Sequence, residues 1–174
     1  MKLSYLFEEH MMFGRDLLTI RYARREDARV LASMTSALIE SAVSQRGTSQ
    51  RWGERRILGH MRSPNSMVIV AQRRNRIVGF AAMLFHDEEA HLLLLAVTPS
   101  ERRQGVGRQL LQWLETCALN AGISSVHLEV VLDNHGARFF YLGSGYEELG
   151  VMPHYYGRGY AGLRMWKELW KDNM

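Results

Sequence analysis

Between an apolar run and a helical pattern lies the stretch Arg102-Arg103-Gln104-Gly105-Val106-Gly107-Arg108. The two glycines leave out a Cβ at alternate positions, which lets the backbone approach a ligand closely. A helix that begins here presents N–H groups without acceptors and the positive end of its dipole, and both favour a bound phosphate. Three arginines add positive charge. The stretch therefore predicts a phosphate-binding or pyrophosphate-binding loop between a strand and a helix.

Two other phosphate-binding loops are excluded by the spacing. A P-loop ends in Gly-Lys-Ser/Thr, whereas Gly107 is followed by Arg108-Gln109. A Rossmann fingerprint needs three glycines after the first strand of a βαβ unit, and here two glycines stand in mid-chain. The remaining pattern, Arg-x-x-Gly-x-Gly between an apolar strand and an amphipathic helix, resembles the signature of the GNAT superfamily of N-acetyltransferases. That resemblance implies that the loop binds the pyrophosphate of acetyl-CoA.

A second block supports the resemblance. Asn134-x-x-Ala137-x-x-Phe140-Tyr141-x-x-x-Gly145-Tyr146 is similar to the pattern that follows the fifth strand in this superfamily. Asn134 is also a good helix N-cap on physical grounds. The resemblance implies that Asn134 contacts the pantetheine arm or the thioester end, and that Tyr141 protonates the departing thiolate. The alternative for Tyr141 is a partly buried core tyrosine.

The resemblance also implies a cofactor site with contributions from a splayed strand. Backbone N–H groups around Leu95 to Val97 would bind the pantetheine and polarise the thioester carbonyl. The full set of expected cofactor-binding residues is Leu95, Ala96, Val97, Arg102, Arg103, Gln104, Gly105, Val106, Gly107, Arg108 and Asn134.

Within the superfamily, two features resemble the RimI-type branch, which acetylates ribosomal proteins and N-terminal peptides. One is Leu128-Glu129-Val130 with Tyr141 twelve positions after Glu129, and the other is the run from Met152 to Gly157. The resemblance implies that Glu129 is the general base and that Tyr155 and Tyr156 line the peptide site. The patterns then diverge, because residues 159–162 are not the acidic run common in that branch.

The acceptor amine must lose a proton before it attacks, so a base or a water chain is required. Glu129 is the first candidate. His127 lies two residues earlier on the same strand face, and His91 is a third candidate from the family pattern. Cys117 stands in mid-helix beside apolar residues, which is typical of a buried small hydrophobe and not of an acyl-carrying nucleophile. Direct transfer in a ternary complex is therefore favoured over a ping-pong route.

The periodicities predict the element order β, one or two α, three β, α, β, α, β, β. This is an α/β (α+β) fold of GNAT type, with a mixed, largely antiparallel central sheet of six to seven strands flanked by about four helices. The predicted strands cover residues 17–22, 67–72, 77–85, 91–98, 126–132, 146–149 and 161–169. We expect residues 1–16 to be an N-terminal extension and residues 17–174 to be one acetyltransferase domain.

Composition narrows the function classes further. A single cysteine excludes an intramolecular disulfide and a four-cysteine metal site, and no metal site is predicted. The first thirteen residues are mildly apolar, but Glu8, Glu9 and His10 interrupt the apolar core that a secretory signal needs. The longest apolar run, Leu92 to Val97, is too short to span a membrane. We therefore expect a cytoplasmic enzyme, monomeric or homodimeric, with acetyl-CoA and an amine acceptor as partners and no membrane contact.

Charge supports a rival interpretation. The net charge is +4 and the pI is about 9.5, and nearly all cations are arginines. A nucleic-acid or ribosome-binding module would use them, and the residues concerned are Arg51, Arg55, Arg56, Arg73, Arg74 and Arg76. Against it, the chain has no helix-turn-helix, RRM-type aromatic motif or zinc finger. An acetyl-CoA sensor without turnover and a small-molecule acetyltransferase are two further rival functions.

Overall fold

The structure is a computed structural model that describes residues 18–42, 52–157 and 159–170. Some sequence predictions lie outside these residues, namely the extension 1–16, the strand start at Leu17, Arg51 of the charge argument and the end of the predicted domain at residues 171–174. The helices are α1 (Ala28–Ala42), α2 (Glu54–Arg62), α3 (Val106–Asn120) and α4 (His135–Leu142). The strands are β1 (Leu18–Tyr22), β2 (Ser66–Arg73), β3 (Arg76–Phe85), β4 (Glu89–Val97), β5 (Ser125–Val131), β6 (Glu147–Met152) and β7 (Gly162–Glu168).

The strands form one sheet in the order β1-β2-β3-β4-β5-β7-β6. The pair β4 and β5 is parallel, and the other neighbours are antiparallel. Helix α3 provides the crossover that a parallel pair requires. Fold class and element order are as the sequence predicted. Strand β6 is longer than predicted because its pairing with β7 continues through a bulge at residue 149 to Met152.

Helix α1 begins next to the buried carboxylate of Asp27, which accepts hydrogen bonds from residues near the end of β1. Asp27 accepts hydrogen bonds from the Arg24 N–H at 2.7 Å and from the Arg21 guanidinium at 2.7 and 3.1 Å. These bonds satisfy a buried charge that would otherwise be costly. They anchor the start of α1 to the first strand.

Two apolar cores lie on opposite faces of the sheet. Alternation along β2 sends Met67, Ile69 and Ala71 to one core, and Val68 and Val70 to the other. Helices α3 and α4 cover the first face, and α1 and α2 cover the second over strands β2 to β4. The first half of the sheet is therefore sandwiched between helices.

The parallel strands β4 and β5 separate after a short contact. Their pairing covers three positions and ends at His91 opposite His127. On its other edge, β4 carries a bulge, because Leu92 and Leu94 pair with consecutive residues of β3 and Leu93 is the extra residue. A bulge bends its strand. Strand β4 is the middle strand of the sheet, but its own middle residues are only partly buried, because beyond His91 β4 and β5 diverge into a cleft.

Candidate active site

The predicted phosphate loop ends at the start of α3, where Gly105 is the N-cap residue with a φ of 81°. Few residues other than glycine adopt this left-handed conformation without strain. The first helical bond runs from the Gln109 N–H to the Gly105 carbonyl. The N–H groups of Val106, Gly107 and Arg108 therefore have no acceptor inside the helix. The backbone here has the donors that an anion needs.

Gly107 lies where α3 meets β4 and α4. A Cβ at this position would lie 3.4 Å from Leu95 Cδ2 and 3.5 Å from Phe140 Cζ, which is ordinary van der Waals contact. The N-terminus of α3 consequently lies against the strand that borders the cleft.

The side chains of the loop divide into two groups. Arg102, Arg103 and Arg108 are exposed or partly exposed, and Arg102 Nε donates to the Val97 carbonyl at 3.3 Å. Gln104 uses its side chain within the protein, and Val106 is buried. Of the predicted cofactor residues, the arginines can offer side chains to an anion, whereas Gln104 and Val106 can offer only backbone groups.

Main-chain groups of β4 face the cleft at alternate residues. The Thr98 N–H donates to the Val78 carbonyl of β3 at 2.9 Å. Because successive residues of a strand direct their N–H and C=O groups to opposite sides, those of Leu95 and Val97 face the gap toward β5. The third predicted residue, Ala96, is not brought to the cleft. Its main chain faces β3 and its side chain is buried in the core under α1 and α2.

Asn134 and Tyr141 lie beyond the end of β5, at the start of α4 and within it. Oδ1 of Asn134 accepts a hydrogen bond from the Ala137 N–H at 3.1 Å, which confirms the predicted N-cap. Tyr141 is only 7% exposed and packs edge to face against Phe140 and Tyr146. Burial raises the pKa of Tyr141 well above its usual value, so the phenol keeps its proton at neutral pH. Its hydroxyl has no hydrogen-bond partner within the described residues.

Glu129 lies where β4 and β5 diverge, and each of its carboxylate oxygens has a hydrogen-bond donor. Its Oε2 lies 2.7 Å from His91 Nε2, and its Oε1 lies 3.0 Å from Nε and Nη2 of Arg164. Its side chain is only 4% exposed. Burial alone would raise the pKa of Glu129, but the hydrogen bonds and charges of His91 and Arg164 outweigh it and lower the pKa to about 2. Such a carboxylate is a weak base at neutral pH.

His91 and His127 are register partners on β4 and β5, and their rings stack at 4.3 Å between centroids. Burial, followed by the neighbouring His91, lowers the pKa of His127. The three candidate bases thus lie together, with one nitrogen or oxygen of each within 4.8 Å of the others. The same atoms are of the type that binds metal ions, but the guanidinium of Arg164 on the shared carboxylate opposes a second cation.

Comparison with known proteins identifies this arrangement. Residues 32–146 match the model of the acetyltransferase (GNAT) family. The chain belongs to the GNAT acetyltransferase family. It is an acetyl-CoA-dependent N-acetyltransferase, as the sequence predicted, and acetyl-CoA is its cofactor. The exposed arginines, the free helix N–H groups and the cleft-facing main chain of β4 fit an anionic, elongated ligand of this kind.

Individual relatives support the assignment. An uncharacterised N-acetyltransferase of Methanocaldococcus jannaschii is 33% identical over 113 residues, which is 64% of this chain and 72% of the relative. The ribosomal protein bS18-alanine N-acetyltransferase of Salmonella typhimurium is 28% identical over 114 residues, covering 66% and 76%. The crystal structure of the corresponding Escherichia coli enzyme superposes with a TM-score of 0.74 at 22% identity, covering 88% of this chain and 94% of that one.

In this GNAT enzyme, the two tyrosines predicted to line the acceptor site lie beside β5, the strand that carries Glu129. Tyr156 Oη donates to the Glu129 main-chain carbonyl at 2.9 Å. Tyr155 packs edge to face on Tyr156, and burial followed by the charge of Glu129 raises its pKa. The structure thus brings Tyr155 and Tyr156, in the turn after β6, close to Glu129 on β5.

Sequence reasoning missed two functional candidates of this acetyltransferase. Arg164 lies directly opposite Glu129 although thirty-five residues separate them, because β7 inserts between β5 and β6 in the sheet. Arg73 reaches the phosphate loop from the β2–β3 hairpin. Neither residue belongs to a motif, and only the strand order reveals them.

No helix in the described part of the chain has the length and apolar character to cross a bilayer.

Proposed function

We propose that this enzyme transfers the acetyl group of acetyl-CoA to a primary amine by direct attack in a ternary complex, with His91 as the proton acceptor and Tyr141 as the proton donor. The observation that carries this assignment is the Arg164–Glu129–His91 chain of hydrogen bonds at the point where β4 and β5 diverge. The acceptor is a protein N-terminus, a lysine or a small-molecule amine.

Backbone groups supply most of the proposed cofactor site. The N–H groups that open α3, with Arg102, Arg103 and Arg108 nearby, would hold the pyrophosphate, and the cleft-facing main-chain groups of Leu95 and Val97 would hold the pantetheine. Acetyl-CoA, when bound, supplies a thioester whose C–S bond breaks as the C–N bond to the amine forms. Asn134, at the start of α4 beyond the end of β5, would contact the pantetheine or the thioester end, as the family resemblance implies.

Proton movement is assigned from the hydrogen bonds. Glu129 is held ionised by Arg164 and accepts from Nε2 of His91, which leaves the lone pair of a neutral ring on Nδ1. Nδ1 of His91 removes a proton from the amine, and the carboxylate stabilises the resulting positive ring. Tyr141, protonated because it is buried, gives its proton to the leaving sulfur. Glu129 is thus the positioning residue for His91 and not the base itself.

The acceptor class is supported by Tyr155 and Tyr156, whose place beside β5 suits an extended peptide with its amino terminus near His91. The similarity to the bS18-alanine acetyltransferase of Salmonella points in the same direction. The Gly159-Tyr160-Ala161-Gly162 run departs from that branch, so small amines stay a second acceptor class.

The excess of arginine supports a nucleic-acid-binding module less strongly when the ion pairs are considered. Arg73 pairs with Glu101, and within the described residues Arg21, Arg138 and Arg164 also pair with acidic side chains. These arginines are used inside the fold, and their charge is neutralised locally.

The first test is a thermal melt with and without acetyl-CoA, with ATP and NAD as controls. Ligand at about a hundred times its Kd adds roughly 2.7 kcal/mol, a shift of very roughly 5–10 °C for a domain of this size. The second test is turnover on three acceptors: a peptide with a free amino terminus, the same peptide blocked there but carrying lysine, and a polyamine. Binding without turnover on any of them would favour a sensor, and no binding would contradict the proposal.

A further inference from the structure

Arg73 joins the β2–β3 hairpin to the phosphate loop. It is the last residue of β2, next to a two-residue turn in which Arg74 and Asn75 have φ angles of 50° and 62°, as a type I′ turn requires. Its Nη1 lies 2.6 Å from Glu101 Oε2 and 2.7 Å from Gln104 Oε1. The side chains of Arg73 and Glu101 are 18% and 21% exposed, so their ion pair is partly buried, whereas Gln104 lies at the surface.

The contacts continue into the loop. Nε2 of Gln104 donates to the Ser100 carbonyl at 2.9 Å, and the N–H of Glu101 donates to the Thr98 carbonyl at 3.0 Å. These hydrogen bonds hold residues 98–104 in one conformation, and Arg73 contacts the side chains of Glu101 and Gln104 within that segment. Gly105 and the free N–H groups of α3 follow directly. Donors that are held in place before a ligand arrives bind it without an ordering cost.

Charge gives Arg73 a second effect. Glu101 is the acidic residue of this loop and would repel a pyrophosphate bound a few residues away. The positive guanidinium of Arg73 neutralises the negative charge of Glu101. Arg102, Arg103 and Arg108 then determine the sign of the local field.

We propose that Arg73 is a positioning residue for the pyrophosphate loop, which braces Gln104 and cancels the charge of Glu101. The inference rests on the proposed binding of the cofactor pyrophosphate by residues 102–108. It assigns to Arg73 an effect on the nucleotide half of the cofactor and none on the acetyl-transfer step.

The test compares Arg73→Ala with Arg76→Ala. Arg76 lies on the same hairpin, is exposed and pairs with no side chain of the described residues, so its loss removes the same charge without a contact. In Arg73→Ala we expect the Kd of coenzyme A to rise about tenfold, with kcat at saturation within about twofold, since one charge-assisted contact is worth roughly that much. Arg76→Ala should change the Kd less than about twofold.

Two readouts separate positioning from general damage. The KM for acetyl-pantetheine, which lacks the pyrophosphate, should be the same in Arg73→Ala and in the wild type. Glu101→Gln combined with Arg73→Ala should recover part of the lost coenzyme A affinity, because the uncompensated charge is gone. If Arg73→Ala folds poorly, Arg73→Lys keeps the charge but replaces the single Nη1 that contacts both partners with a shorter ammonium side chain, and should raise the Kd about threefold.

An unchanged Kd in Arg73→Ala, or an equal loss of affinity for acetyl-pantetheine, would overturn the inference. The proposed cofactor site is judged separately by Gly105→Trp. If the wild type binds coenzyme A and Gly105→Trp does not, the loop assignment stands whatever Arg73→Ala does. If Gly105→Trp binds normally, the loop assignment fails.

Discussion

Glu129 and Arg164 lie directly opposite each other on β5 and β7, and the guanidinium donates to the carboxylate at 3.0 Å. This pair limits how the carboxylate can act. With one oxygen on Arg164 and the other on His91, the pKa of Glu129 is lowered to about 2, so the group is a lasting negative charge. In the proposed mechanism, a proton from the amine goes to the histidine that the carboxylate orients.

Replacing His91 tests the base directly. His91→Ala should lower kcat/KM by about 10²–10³, within the usual contribution of a general base. His127→Ala should have a smaller effect, about tenfold or less, because it only supports the ring of His91 by stacking. His86→Ala, an exposed histidine of the β3–β4 turn, is the matched control. Steady-state rates at saturating acetyl-CoA measure this, and equal losses for His86 and His91 would remove the assignment.

Glu129 should contribute to stability in a defined pH range. Its pKa falls from 4.5 to about 2 on folding, so the unfolded chain binds its proton first as the pH drops. The stabilisation is complete above about pH 4.5 and is lost as the pH falls toward 2. The contribution is on the order of 2 kcal/mol after allowance for screening. Urea titrations at pH 6 and pH 3 should show a smaller pH effect in Glu129→Gln than in the wild type.

Tyr141 is tested by removing one oxygen. Tyr141→Phe should lower kcat about 10- to 100-fold, while the Kd of acetyl-CoA changes less than about twofold, because the phenol acts only as the thiolate leaves. The apolar core position suits phenylalanine, so stability should hold. Tyr22→Phe, at an exposed tyrosine on β1, is the control. Full kcat in Tyr141→Phe would show that the proton comes from elsewhere.

Gly105 and Gly53 offer a matched pair of glycines at helix N-caps. Gly105 has a φ of 81°, whereas Gly53 has a φ of −71° and no neighbouring atom within 4 Å of the place where a Cβ would lie. Gly105→Ala should cost about 1–2 kcal/mol of stability and weaken coenzyme A binding, because an L-residue is strained there. Gly53→Ala should cost less than about 1 kcal/mol and leave binding unchanged. Melting temperatures and isothermal titration with coenzyme A distinguish the two.

Local sequence patterns predicted the starts of the two helices next to the proposed cofactor site. Gly105 before an amphipathic stripe predicted the start of α3, and Asn134 predicted the N-cap of α4, since caps and glycine conformations depend on near neighbours. The family resemblance also included Ala96, whose main chain the structure turns toward β3 and away from the cleft. The sequence does not give this orientation, because the direction of a main-chain group depends on which edge of β4 pairs with β3.

By itself, then, the sequence determined the fold class and the start of α3 after Gly105, because both depend on periodicity and backbone conformation over a few residues. Tertiary structure decided the contacts at the acceptor side. Strand β7 inserts beside β5 and brings Arg164 to Glu129, and the β2–β3 hairpin brings Arg73 to Gln104. Whether a carboxylate is a base or an anchor depends on the charges packed around it, and those come from distant strands.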